Sequence, residues 1–128
     1  MVVQKENEPS VFVVDRDSNT VVRLSLTLDL VATYQDPILK VPQGLDVICD
    51  SQVAICGRES NNIVLLDVET GKMTTLLDAK DGLTKPISVR FSGIQKRMFI
   101  GSKGSNYIKT YTFVALKLCI CGDDDDDA

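Results

Sequence analysis

The sequence predicts an all-β fold made of repeated four-stranded antiparallel sheets, and three observations carry that expectation. Val11-Phe12-Val13-Val14-Asp15-Arg16-Asp17-Ser18-Asn19-Thr20-Val21-Val22-Arg23-Leu24 matches, without a gap and 42 positions later, Val53-Ala54-Ile55-Cys56-Gly57-Arg58-Glu59-Ser60-Asn61-Asn62-Ile63-Val64-Leu65-Leu66. A shorter copy starts at Met98-Phe99-Ile100 and runs to Tyr111. Each copy opens on a β-rich apolar run too brief for a helix. A polar turn with a Ser-Asn pair follows, at Ser18-Asn19, Ser60-Asn61 and Ser105-Asn106, residues that bond locally and tolerate left-handed backbone. A period in the forties made of such units is the spacing of a propeller blade. The expected architecture is a partial β-propeller of about three four-stranded antiparallel blades.

Taken in order, residues 11–14 form the second strand of the first blade, and Val21 lies in its third. Asp29 stands where the second copy has Gly71, and either residue accepts turn geometry. Asp36-Pro37-Ile38-Leu39-Lys40-Val41-Pro42 then leads into an inner strand over residues 44–48, since proline at a strand's first position loses no ladder bond. The second blade continues through residues 53–56, the Ser60-Asn61 turn, the strand holding Ile63, the turn Glu69-Thr70-Gly71-Lys72 and an outer strand over 73–77. A connection two residues longer ends at Pro86 and opens the inner strand 87–91 of the third blade. Val13, Ile55 and Ile100 share one alternation step of the second strand and are expected to be buried alike. Domain boundaries follow: 1-113 for the blades, the first of them incomplete, and 114-128 for an atypical strand with an acidic tail.

Composition is that of a globular chain, 44% hydrophobic and 25% charged. The net charge of −4 is dominated by the five aspartates at 123–127, so the body is close to neutral and lacks a global basic field for nucleic acid. The acidic run lacks the spaced ligands of a calcium loop and is expected to be a solvated tail. Residues 1–8 do not resemble a signal peptide, and the longest apolar stretch, residues 113–121, is far short of the roughly 20 residues that span a bilayer. No membrane association is expected. Cys49 and Cys56 would not lie opposite each other in their hairpin, and Cys119 and Cys121 are badly placed to bridge each other. Four free thiols, each packed as a small hydrophobe, and a cytoplasmic location are the expectation.

These residues resemble the NHL repeat, in which a proline and glycine lead into an inner strand, followed by a strand, an Asn-containing turn and an Ile/Val-rich strand. Pro42-Gln43-Gly44-Leu45-Asp46-Val47 and the run from Val53 through Asn61 to Ile63 carry the resemblance. Gly57 and Gly101 depart from it where Asp15 conforms, as does Ile87-Ser88 in place of Gln43-Gly44. The resemblance implies a segment of a six-bladed parent, as at the C-terminus of tripartite-motif-like proteins. It implies a protein partner, with RNA as the alternative. By this alignment the chain begins inside a blade, so self-association or a missing propeller half is expected.

For function, Arg16, Arg58 and Lys103 hold the same place in successive Asn turns and form a candidate partner-binding rim. The plain alternative is solvated turn tips, with Asp17 and Glu59 halving the field. No histidine is present, which excludes a Ser-His-Asp triad and imidazole metal sites. Asp46 is a candidate inner-strand carboxylate for a metal-dependent propeller enzyme, but Arg90 at the matching position opposes a ring of ligands. No catalytic residue, metal or cofactor is expected, and the zinc module of ubiquitin ligases is absent from this sequence.

Overall fold

The computed structural model describes residues 2–3, 9–49 and 51–112. Among the described residues, eleven strands form three antiparallel sheets. The first sheet holds β1 (Val2–Val3), β2 (Ser10–Asp15), β3 (Thr20–Ser25) and β4 (Leu30–Tyr34), paired in that order. The second holds β5 (Pro42–Cys49), β6 (Gln52–Gly57), β7 (Asn62–Asp67) and β8 (Met73–Leu77), again in sequence order. β9 (Pro86–Ser92), β10 (Arg97–Ser102) and β11 (Ile108–Thr112) form the third. The expected 114-128 segment lies outside the described residues.

The sheets stack face to face around two cores. In the first, Phe12, Val21 and Tyr34 of the first sheet pack on Val53, Ile55, Val64 and Leu66 of the second. In the second, the opposite face of the second sheet, Ala54, Cys56, Ile63 and Leu77, packs on Val89, Met98 and Ile100 of the third. The middle sheet is therefore covered on both sides, which is why β6 reads as an unbroken apolar run instead of alternating. Leu39 and Leu83, from equivalent connections, plug one core each and are almost fully buried. Burial of each is worth about 1.5–3 kcal/mol.

Inner strands β5 and β9 approach so closely that a Cβ on Gly44 would stand 2.5 Å from the Ile87 carbonyl oxygen. Glycine is required there for backbone contact, not for turn geometry. The buried Asp46 carboxylate crosses the same gap and accepts the Phe91 N–H at 2.7 Å.

Two expectations need correction. Val13 is 44% exposed, whereas Ile55 and Ile100 are fully buried. The three are equivalent in position, but a blade face is buried only by the sheet beside it, and no described sheet lies beyond the first. The residue that takes the left-handed place of Gly71 (φ +79°) is Leu28 (φ +66°), not Asp29. A shift between Arg23 and Leu24 in the β3–β4 ladder makes that turn one residue tighter, with Leu28 N–H bonded to Ser25 O.

Candidate functional site

The turns between second and third strands hold equivalent positions, and the first two are built by a device that repeats. Asn19 and Asn61 are left-handed, with φ +58° and +53°. Each side chain reaches past its own sheet into the connection ahead: Asn19 Oδ1 accepts the Val41 N–H at 2.7 Å, and Asn61 Oδ1 accepts the Lys85 N–H at 2.9 Å. Val41 and Lys85 each precede the proline that opens the next inner strand, and both are left-handed themselves, at φ +55° and +45°. Their carbonyls then accept the N–H of Arg58 and Lys103, at 3.0 and 2.9 Å. Every such residue thus donates backward to one sheet and accepts forward from the next.

Arg58 and Lys103 consequently hang from equivalent backbone anchors, and Arg16 follows β2 at the matching step. Arg16 and Lys103 are exposed, and neither forms an ion pair among the described residues. Arg58 is different: its Nε donates to Glu59 Oε2 at 3.1 Å. Glu59 also takes the Lys85 ammonium at 3.2 Å. The Lys85 bond and charge, helped by Arg58, hold the Glu59 carboxyl below its usual range. Lys85 did not stand out in the sequence, although a lysine directly before an inner-strand proline was its visible signal.

Beside Arg16 opens a cleft of about 480 Å³. Val13, Val22 and Leu24 give it an apolar wall, and Arg16, Asp17 and Gln43 line it with polar groups. Gln43 Oε1 is buried there and has no hydrogen-bond partner among the described residues.

Among the described residues no group of three or more His, Cys, Asp or Glu could hold a metal ion, and Asp46 is engaged with the Phe91 backbone. Burial pushes the Cys56 thiol up to about 12, so it stays protonated. Cys49 corrects the expectation of four free thiols, being disulfide-bonded. Its partner is not Cys56, which is free, in keeping with the expectation that these two do not face each other across their hairpin. Among the described residues no helix is long and apolar enough to cross a membrane.

No family model matches the chain, and no curated protein matches its sequence. Solved structures do match in shape. A structure of Kuenenia stuttgartiensis hydrazine synthase superposes with a TM-score of 0.68 at 13% identity, covering 87% of this chain and 31% of that one. A functionally unknown protein from Desulfotomaculum acetoxidans DSM 771 gives 0.62 at 12% identity, over 86% of this chain and 37% of its own. Virginiamycin B lyase from Staphylococcus aureus gives 0.59 at 13%, over 87% and 40%. This chain spans less than half the length of each. At such identities the likeness establishes the fold alone, and with the three sheets it makes the chain a partial β-propeller.

Proposed function

We propose that this chain is a non-catalytic interaction module, an NHL-like propeller segment of the tripartite-motif-like kind, whose ligand is a protein. The observation that carries this reading is the open face of the first sheet, where Val13 is 44% and Leu30 67% exposed beside the 480 Å³ cleft. A continuous apolar face edged by charge suits a protein surface better than a phosphate backbone. The rim of Arg16, Arg58 and Lys103 contributes polar contacts to that partner. Glu59 absorbs much of the charge of Arg58 and Lys85, which weighs against the rim as a track for RNA. RNA is the second reading, favoured by the exposed cations Arg16 and Lys103, which form no ion pair among the described residues. The reactions in the names of two structural neighbours belong to those proteins.

Two measurements test the reading. Crosslinking in a cell extract should yield protein adducts that Val13→Asp removes. A labelled single-stranded RNA should show no saturable binding at about 0.2 M salt, because phosphate contacts weaken steeply as salt rises. RNA binding that persists there and disappears in the Arg16→Glu, Arg58→Glu, Lys103→Glu triple variant would replace the protein reading.

A further inference from the structure

We propose that the open face of the first sheet receives the far face of the third sheet of a second copy of this chain, head to tail. The proposal rests on the protein-binding reading above and names the partner.

Residues directly opposite in antiparallel strands share a face. In the first sheet Val11 faces Leu24 and Val13 faces Val22, and Leu24 continues to Leu30. The corresponding pairs in the second sheet are Val53 with Leu66 and Ile55 with Val64, all with no exposed surface. There the cover is supplied by Phe12, Val21 and Tyr34. The face of the first sheet thus repeats a socket whose filling is seen one sheet further on.

The third sheet carries the matching plug. Phe99 and Ile108 occupy the places of Phe12 and Val21, one on the second strand and one on the third, and register puts them on a common face. Ile108 is 63% exposed, whereas its equivalents Val21 and Ile63 are fully buried. Socket and plug stand at opposite ends of the stack, so the contact they predict is heterologous, with polarity. Such contacts close into rings when the rotation allows and otherwise extend. Sequence supports a covered socket as well: β2 is apolar at four consecutive positions, Val11 to Val14, as is β6, whose two faces are both buried. A strand with one permanently wet face should alternate. The contact should be weaker than the internal ones, because Arg90 stands where Asp46 supplies its bond to the neighbouring inner strand.

Sedimentation velocity on the 128-residue chain, over a concentration series, tests this with Val13→Asp in the socket and Ile108→Asp in the plug. Both residues are exposed, so each variant should keep the wild-type circular dichroism. The wild type should associate, each variant alone should sediment as a monomer, and an equimolar mixture should give a one-to-one heterodimer through the single intact socket and plug. Association of Ile108→Asp alone would mean that sockets pair with each other and would overturn the head-to-tail contact. A monomeric wild type, or a mixture that stays monomeric, would overturn it too. If extract crosslinks are nevertheless lost in Val13→Asp, only the second-copy assignment fails. If Val13→Asp changes neither measurement, the protein-binding reading fails with it.

Discussion

Asn61→Ala should destabilise the fold far more than its position in a surface turn suggests. Two losses add. Alanine at φ +53° takes on a left-handed backbone that costs a non-glycine residue about 1–2 kcal/mol, less for asparagine. The Lys85 N–H, bonded at 2.9 Å, loses its acceptor, at about 1 kcal/mol or somewhat more for a half-buried donor. The sum is about 2–3 kcal/mol, a large share of the 5–15 kcal/mol typical of a domain. Asn61→Gly restores the backbone but not the bond and should lose about 1.5 kcal/mol. Asn61→Asp keeps an acceptor and should stay within about 0.5 kcal/mol of wild type. The chain has no tryptophan, so urea unfolding is best followed by far-ultraviolet circular dichroism. The Val13→Asp background removes concentration dependence from any association. Hydrogen exchange at the Lys85 amide locates the effect. An alanine variant as stable as wild type, or unchanged protection at Lys85, would refute the inter-sheet role of the asparagine.

Ile55→Asp should abolish the cooperative melt, since it leaves an unpaired carboxylate between two sheets at a cost of several kcal/mol; Val13→Asp, at the equivalent but exposed position, should shift the melt only slightly. Cys56 should resist alkylation at neutral pH until the chain unfolds. Its folded pKa is raised from 9.0 to about 12, so its stabilising contribution is complete below pH 9 and lost as pH climbs toward 12; the stability advantage of wild type over Cys56→Ala should shrink across that window in urea titrations.

Strand order and turn placement were legible in the sequence because a repeat aligned on apolar runs and Ser-Asn turns reports local geometry, which each blade solves alone. Exposure was not, as Val13 demonstrates: equivalence of position does not convey which blade has a neighbour. Asn19 and Asn61 were recognised as turn residues with left-handed backbone, whereas in the third turn Gly104 (φ +78°), not Asn106, takes that conformation. The acceptor function of Asn19 and Asn61 across 22 and 24 residues, to Val41 and Lys85, was missed, although the prolines at 42 and 86 marked its target. Asp17 and Glu59 were legible as charges that offset Arg16, Arg58 and Lys103, but the part of Lys85 was not, because it joins Glu59 only when a connection folds over the turn.

Apolar burial holds the sheets together without fixing their relative phase, since it is non-directional. The asparagine contact is directional and supplies what burial cannot. It fixes the pre-proline residue through its N–H, and the same residue's carbonyl holds the backbone of Arg58 or Lys103. Spacing along the rim is therefore set by the joint between sheets, not by the turns alone. Loosening that joint should move the cations apart while leaving every turn locally intact. A partner that reads the rim would feel changes at Asn19 or Asn61 without touching either residue, and this ties the blade-to-blade construction to the surface that the chain presents.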